Sequence, residues 1–290
     1  MDLAEFAEEV GADGPVTIAG LSTRGGPVDG VRVVMAPIGI DWVRPEEMTV
    51  QCGAGVPIHE LDDALAEHGQ AVAIPPTGTV GGALALGHSG IRRLGYGPIR
   101  DTVLQARYVN AEGIVVKAGG PTVKNVSGFD LCRLLVGSHG TLGFLGEVIL
   151  RTQPRATFEQ WYVAETDPFE LFPRLYRPTS VLWDGTSVWV LLEGHRDDVV
   201  GQAAALGLRD GDPPDDLPVG GRWSLPPARL AELPGTGRFV AEIGVGIVHH
   251  ESAAPPADVD PAVVELHRRI QHQFDPTGRL NPGVHVLEAG

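Results

Sequence analysis

Apolar and polar residues alternate over short runs in the first half of the chain, a pattern typical of half-buried strands. Between residues 57 and 68, however, Ile58, Leu61 and Leu65 recur at helical spacing and predict a helix. A second helix is predicted at 131–136, where Asp130 is expected to cap the helix rather than to act in catalysis. The predicted strands are 16–19, 31–36, 48–52, 102–109, 114–118 and 148–152, of which 102–109 and 114–118 form a hairpin.

The pattern changes after Pro154, where strands alternate with helices. Strands are predicted at 158–163, 187–192 and 239–248, helices at 168–176 and 261–274, and exposed loops at 211–221 and 252–260. Elements in this order predict a small antiparallel sheet with helices on one face. Because 290 residues suffice for two cores, we predict an α+β protein with domains 1–154 and 155–290.

Composition narrows the classes of function. The formal charge of -15 and the presence of only two lysines, Lys117 and Lys124, argue against binding to nucleic acid, whose phosphates require clustered cations. No apolar run approaches the roughly 18 residues of a membrane-spanning helix. The acidic N-terminus lacks the features of an export signal, so a cytoplasmic location is expected. Cys52 and Cys132 lie far apart in the sequence and are expected to be separate buried thiols.

Two glycine-rich loops, residues 18–26 and 75–90, suggest places where the backbone approaches a ligand closely. Neither loop has the Gly-Lys-Ser/Thr triplet of a P-loop or the glycine spacing of a Rossmann fingerprint. A pyrophosphate could instead be clamped between them by backbone N–H groups and by the start of a short helix. The alternative is that both loops are only tight turns.

Three segments carry a resemblance to a known family: TGTVGGALALGHSGIRRLGYGPIRD at 77–101, GGPTVKNVSGFDLCRLLVGSHGTLGFLGEV at 119–148, and FDPTGRLNPG at 274–283. In this order they resemble the FAD-binding oxidoreductases of the vanillyl-alcohol oxidase (PCMH) type, and within that group the FAD-binding subunits of glycolate oxidase. The resemblance implies a PCMH-type FAD-binding domain of two α+β subdomains. A small α+β cap domain with an antiparallel sheet would follow, with a C-terminal tail that contacts FAD.

The resemblance also implies which residues hold the cofactor. The FAD is expected to be non-covalent, because the first loop lacks the histidine to which relatives often attach their flavin. The first loop contains Leu21 where relatives usually have glycines. The implied cofactor-binding residues are Ala19, Gly20, Leu21, Ser22, Thr23, Gly78, Thr79, Val80, Gly81, Gly82, His88, Ser89, Gly90, Lys124, Gly143, Leu145 and Asn281.

Three residues, His249, His88 and Lys124, are candidates for catalysis. In the family's catalytic subunit a Gly-His-x-Gly-Asp-Gly-Asn-x-His segment helps to hold the substrate, sometimes through a metal. Here AEIGVGIVHH at 241–250 keeps the last histidine as His249, but Glu242 replaces the first, so no metal is expected. His249 is either a base or a structural strand histidine. Lys124 either binds a phosphate or carboxylate or is a solvated loop lysine.

Three functions remain open from the sequence. The first is a FAD-dependent oxidoreductase that oxidises a small, glycolate-like hydroxy acid by hydride transfer to the flavin. The second is a non-catalytic FAD-binding or electron-transfer subunit, which would join a larger flavoprotein and an iron–sulfur protein and could thereby lie at a membrane surface. The third is a scaffold whose loops no longer hold a nucleotide.

Overall fold

The computed structural model describes residues 1–23, 25–121, 130–256 and 259–287, which fold into two compact units. The first unit contains Met1–Gly90, Pro98–Arg155 and the described residues from Val259 onward. The second contains Ile91–Gly97 and the described residues from Ala156 to Pro256. The boundaries of these two units thus differ from those of the predicted domains 1–154 and 155–290. The reason is that Ile270 and Phe274, late in the chain, pack on the core of the first unit.

The secondary structure consists of short elements of both kinds. The α-helices are α1 (Leu3–Val10), α2 (Ile58–Ala66), α3 (Val80–Leu86), α4 (Arg93–Tyr96), α5 (Leu131–Leu135), α6 (Pro168–Leu171), α7 (Arg196–Leu206) and α8 (Pro261–Phe274), and short 3-10 helices span Pro45–Glu47, Ile99–Thr102, Phe172–Arg174 and Pro227–Glu232. The strands are β1 (Val16–Ala19), β2 (Arg32–Met35), β3 (Ile40–Arg44), β4 (Thr49–Gly53), β5 (Gln70–Ala71), β6 (Val103–Val109), β7 (Val115–Gly119), β8 (Phe144–Arg151), β9 (Gln153–Pro154), β10 (Phe158–Ala164), β11 (Ser180–Trp183), β12 (Val188–Gly194), β13 (Arg209–Asp210), β14 (Gly221–Ser224), β15 (Phe239–Glu242) and β16 (Ile247–His250). None of the helices within the described ranges is long and apolar enough to cross a bilayer.

The first unit is built around two apolar cores. An antiparallel sheet in the order β3-β4-β8-β6-β7 carries the larger core, onto which α2 and α3 pack. A parallel pair, β1 and β2, carries the smaller core with α1, where Phe6 and Val16 are fully buried. Leu280, near the C-terminus, also belongs to the smaller core. The predicted pair of α+β subdomains therefore corresponds to two cores within one compact unit.

The second unit is a single antiparallel sheet in the order β13-β10-β12-β11-β15-β16-β14. Successive side chains of a strand point to opposite faces, so each strand contributes alternate residues to each face. One face is apolar and packs against Val199 and Ala203 of α7. The sheet residues of this apolar core are Tyr162, Val181, Trp183, Val188, Val190, Leu192, Phe239, Ala241 and Val248. The α+β class and the antiparallel sheet of the second half are thus confirmed.

Most predicted elements are present, with ends that shift by a few residues. The hairpin of β6 and β7 is confirmed, and Asp130 caps α5 by accepting a hydrogen bond from the Arg133 N–H at 3.1 Å. The prediction of one strand over 239–248 was wrong, because a turn at Gly244 and Gly246, both with positive φ, divides it into β15 and β16. The predicted helix 168–176 is shorter, since only Pro168–Leu171 is α-helical before a 3-10 turn.

Candidate functional site

The first unit encloses a cavity of about 200 Å³ where its two cores meet. Segments far apart in sequence line it, among them the loop after β1, the start of α3, the turn before β8 and Asn281. Sites that bury a whole small molecule usually measure roughly 300–1,000 Å³. This cavity is therefore suited to one section of an extended ligand rather than to an entire dinucleotide.

The two glycine loops touch each other at Gly20 and Thr79. A Cβ built on Gly20 would lie 2.9 Å from the Thr79 hydroxyl oxygen, closer than real side chains approach. Because both residues line the cavity, any side chain at position 20 would crowd both the second loop and the ligand space. The predicted pairing of the loops around one site therefore has a structural counterpart, and glycine is required in the first loop.

The start of α3 uses its own N–H groups inside the protein. The Val80 N–H donates to the Val56 carbonyl at 2.9 Å, and the Gly81 N–H donates to the Ala54 carbonyl at 2.6 Å. The Gly82 N–H donates to the Thr79 hydroxyl at 3.1 Å, which caps the helix. The sequence predicted that free N–H groups at this helix start would bind a phosphate. These three N–H groups are not free, because each donates to an acceptor within the protein. These residues instead allow a ligand to approach the backbone closely.

Backbone strain is concentrated around the cavity. Among the described residues, five non-glycine residues have positive φ, and three of them, Ser22, His139 and Asn281, line the cavity. Such left-handed conformations are unfavourable for residues with a side chain and persist where the surroundings impose them, often at ligand sites. The strained residues around it indicate that the cavity is a ligand site rather than a packing defect.

Asn281 joins two walls of the cavity through its side chain. Its Oδ1 accepts a hydrogen bond from the Ile18 N–H at 3.2 Å, and its Nδ2 donates to the His139 carbonyl at 2.7 Å. Its own N–H donates to the Val16 carbonyl at 2.9 Å. A Cβ on Gly140 would lie only 2.6 Å from Nδ2, so glycine is needed for this contact. Asn281 thus fixes the distance between the first loop and the turn before β8.

We expect Asn281→Ala to weaken FAD binding by about tenfold. It removes both side-chain hydrogen bonds, each worth roughly 0.5–1.5 kcal/mol, and leaves a residue that tolerates φ 45° poorly. The measurement is the Kd for FAD from quenching of flavin fluorescence. Asn281→Gly is the matched control, because it lacks the same hydrogen bonds but accepts the backbone conformation. If Asn281→Gly binds FAD as the unmodified chain does, the side-chain bridge has no role in shaping the cavity.

The residues implied in cofactor binding fall into three groups. Those that line the cavity are Ala19, Gly20, Leu21, Ser22, Thr23, Thr79, Gly81, Gly82, Gly143, Leu145 and Asn281. Those that lie outside its lining are Gly78, Val80, His88, Ser89 and Gly90. Val80 is fully buried, and the Ser89 hydroxyl accepts a hydrogen bond from the Ile99 N–H at 3.0 Å. Lys124 lies outside the described residues.

The cavity also contains residues that were not singled out from the sequence. Ser138, His139 and Gly140 form part of its wall, as does Thr17, which precedes the first loop. Burial lowers the pKa of His139, so its ring is neutral at pH 7. The glycines on both sides of Ser138 and His139 were the available signal, since a polar pair between two glycines suggests a turn near a ligand.

A histidine–carboxylate pair is the main polar feature of the second unit. His249 Nε2 lies 3.0 Å from Glu242 Oε1, and the Glu242 side chain is only 3% exposed. An ionised carboxylate can only accept, so Nε2 carries the proton and Nδ1 of a neutral ring is left as an acceptor. The second oxygen of Glu242, Oε2, is buried and has no hydrogen-bond partner among the described residues. The sequence predicted His249 as a candidate, but it did not predict that Glu242 orients it.

The cysteines are separate and inert. Burial raises the pKa of Cys52 to about 12 and that of Cys132 to about 11, so both stay protonated at neutral pH. Both are free thiols, as the sequence predicted. Within the described part of the chain, no group of three His, Cys, Asp or Glu side chains is arranged to hold a metal ion.

Comparisons with known proteins show what the chain is similar to. Residues 6–119, which include both glycine loops, match a family model described as an FAD binding domain. The Escherichia coli glycolate oxidase subunit GlcE is 29% identical over 93% of this chain and 92% of its own length. A D-lactate dehydrogenase of Archaeoglobus fulgidus is 44% identical, but the match covers 36% of this chain and only 24% of that enzyme.

The fold has a counterpart among solved structures. An alkyldihydroxyacetonephosphate synthase superposes with a TM-score of 0.70 at 15% sequence identity, covering 97% of this chain and 74% of that one. At this identity the likeness concerns the fold alone. The family model nevertheless supports FAD as the cofactor of the chain. The chain is therefore similar to FAD-binding proteins over residues 6–119 and to a glycolate oxidase subunit over most of its length.

Proposed function

We propose that the chain binds FAD non-covalently in the cavity of the first unit and oxidises a small 2-hydroxy acid such as glycolate. The observation that carries the proposal is the similarity to a glycolate oxidase subunit, which extends through both units and covers 93% of the chain. The D-lactate dehydrogenase that matches 36% of the chain is named for another 2-hydroxy acid. Both names support this substrate class, and neither identifies the acid.

The first unit holds and positions the cofactor in this proposal. Gly20 and Gly81 allow the backbone of the two loops to approach the pyrophosphate, while Thr79 fixes the start of α3. Asn281 keeps the opposite wall at a constant distance. When bound, FAD supplies the redox chemistry by accepting a hydride from the substrate carbon. The protein supplies binding, orientation and exclusion of water.

His249 is the candidate base in this proposal. Oxidation of a hydroxy acid requires removal of the hydroxyl proton as the hydride leaves carbon 2. His249 can accept this proton at Nδ1, because Glu242 holds the Nε2 proton and stabilises the imidazolium that forms. His88 and Lys124 remain alternative candidates from the sequence.

A second function is favoured by the departure from the family's substrate motif. The segment 241–250 carries Glu242 and Val245 where the catalytic relatives are expected to have histidine and aspartate. A chain with an intact FAD cavity and an altered substrate segment suits an FAD-binding or electron-transfer subunit. Its partners would be a larger catalytic flavoprotein and an iron–sulfur protein, and the word "subunit" in the name of the E. coli relative supports an assembly of this kind.

Two measurements on the purified chain separate these functions. An absorption spectrum with flavin bands near about 370 and 450 nm tests FAD binding, and flavin released into the supernatant by acid precipitation tests that the bond is non-covalent. Anaerobic addition of glycolate or D-lactate then tests catalysis, because reduction bleaches the band near 450 nm. Flavin that is bound but not bleached by any 2-hydroxy acid would favour the subunit function. A colourless chain that does not take up added FAD would contradict both.

If the chain is catalytic, His249→Asn should slow flavin reduction by about 10²–10⁴-fold, the usual contribution of a general base. Glu242→Gln should slow it by a smaller factor, because the imidazole remains but its orientation and charge support are lost. Stopped-flow absorbance under anaerobic conditions measures both rates. The exposed helix residue His272 provides the control, since His272→Asn should leave the rate unchanged. Equal rates for His249→Asn and His272→Asn would exclude His249 as the base.

A further inference from the structure

The second unit has a charged sheet face opposite its apolar core. The side chains that alternate with the core residues include Glu159 of β10, Glu193 of β12 and Glu242 of β15. Register places Arg222 of β14 opposite His249 of β16 on this same face. We call this group of five residues the charged face. A row of ionisable groups along the inner strands of a sheet is costly unless they are paired or bind a ligand.

The segment Ile91–Gly97 lies against the charged face and neutralises part of it. Arg92 forms a salt bridge with Glu159 at 2.9 Å and another with Glu193. The Tyr96 hydroxyl also donates to Glu193, and the Gly95 N–H donates to the Thr179 carbonyl at 3.1 Å. These contacts fix the segment on the sheet. They also use both acidic residues at this end of the charged face, so none is left for the neighbouring Arg93.

Arg93 and Arg222 are two cations of the second unit whose positive charges act on each other. Both side chains are half-buried, and no described residue makes a hydrogen bond or an ion pair with either guanidinium. Burial lowers the pKa of Arg222, the negative charge of Glu242 raises it, and the positive charge of Arg93 lowers it by a smaller amount. Glu242 cannot fully neutralise both arginines, because it supplies one negative charge against two positive charges. Two half-buried cations near one shared carboxylate leave an excess of positive charge.

We infer that Arg93 and Arg222 form the binding site for the carboxylate of a small organic acid on the charged face. A guanidinium matches a carboxylate through two parallel hydrogen bonds and is charged at any physiological pH. A bound carboxylate would relieve the repulsion between the two arginines. In a chain of formal charge -15, small anions are repelled by most of the surface, so a local excess of positive charge is what selects them.

The position of His249 narrows the ligand to a 2-hydroxy acid. His249 is the cross-strand neighbour of Arg222, and its Nδ1 is left to accept a hydrogen bond from a hydroxyl beside the bound carboxylate. This narrower assignment rests on the proposed function. The binding of a carboxylate by the two arginines does not depend on it.

The test measures binding of glycolate to the intact, FAD-loaded chain by titration calorimetry. The flavin is photoreduced first, so that glycolate cannot transfer a hydride to it. Glycolamide, in which an uncharged amide replaces the carboxylate, serves as the neutral probe. We expect glycolate to bind and glycolamide to bind at least about tenfold more weakly, since charge-assisted hydrogen bonds are lost. Arg222→Gln and Arg93→Gln should each weaken glycolate binding by about tenfold or more.

The control is Arg209→Gln, on strand β13 of the same sheet. Arg209 is exposed and makes only a long ion pair to Glu165, at 3.6 Å, so glycolate binding should be unchanged. Arg222→Lys, which keeps the charge but not the planar fork, should bind glycolate more tightly than Arg222→Gln. Flavin content and Tm identify any variant that fails to fold.

The inference is overturned if glycolate does not bind the unmodified chain, or if both glutamine variants bind it with unchanged Kd. Its failure can be told apart from failure of the proposed function. If glycolate binding depends on the arginines but glycolate does not bleach the oxidised flavin, the carboxylate site is supported and the proposed oxidation is contradicted. If glycolate bleaches the flavin of Arg222→Gln and Arg93→Gln with the KM of the unmodified chain, the oxidation is supported and the carboxylate site is contradicted.

Discussion

Gly20→Val will weaken the binding of FAD by about 100-fold and yield a colourless protein after purification. The valine Cβ would meet the Thr79 hydroxyl at 2.9 Å, and its methyl groups would enter the cavity. Overpacking of a fitted site costs about 1–3 kcal/mol, which is up to a hundredfold in affinity. Displacement of Thr79 would also uncap α3 at Gly82. The readouts are the ratio of flavin to protein absorbance and the Kd for added FAD.

Gly201→Val provides the control for this substitution. Gly201 lies in α7 of the second unit, and a Cβ there meets no atom within 4 Å. Its flavin content should equal that of the unmodified chain. A Gly20→Val protein that retains stoichiometric FAD with an unchanged Kd would show that the first loop does not contact the cofactor.

Arg279→Met will destabilise the first unit by about 3–5 kcal/mol, the range seen when one partner of a buried charged network is removed. The Arg279 side chain is buried and donates to the carbonyls of five residues. These are Val10, Gly11, Asp13, Gly14 and Ala111, at 2.8–3.2 Å. Methionine fills a similar volume but donates no hydrogen bond. The expected result is a fall in Tm of roughly 10 °C for the transition that releases FAD.

The matched substitution is Arg268→Met on α8. Arg268 is 67% exposed and pairs only with Glu265 in its own helix, so its loss should cost about 0.5 kcal/mol or less. Urea unfolding followed by flavin fluorescence gives the free energy of unfolding for both variants. Equal stabilities for Arg279→Met and Arg268→Met would mean that the carbonyls around Arg279 are satisfied by water instead.

The glycine loops were predictable from the sequence because close approach and tight turning require a particular residue type. Gly20 and Gly81 indicated a ligand site through residue type and position alone. The use of the Val80, Gly81 and Gly82 N–H groups inside the protein was not predictable, since their acceptors in residues 54–56 are set by tertiary packing. The loop was identified correctly, while the way in which it would meet a phosphate was not.

Other features had local signals in the sequence that were not among the predictions. Asp2 and Glu5 form a capping box at the start of α1, in which each side chain accepts the other's backbone N–H. Gly244 and Gly246 indicated the turn between β15 and β16. The electrostatic coupling of Arg93 and Arg222 had no such signal, because more than a hundred residues separate them and Arg222 lies outside the three segments that resemble the family.

The placement of Asn281 has a consequence for biosynthesis. The wall formed by Ile18 is joined to a residue 263 positions later, and Arg279 reaches back over a similar span to the end of α1. Domains generally fold as their chain emerges from the ribosome. The FAD cavity of this chain cannot close in that way, because one of its walls is tied down only after nearly the whole chain, including the second unit, has been translated. A product that stops before Arg279 lacks both residues that tie these walls to the C-terminal part of the first unit.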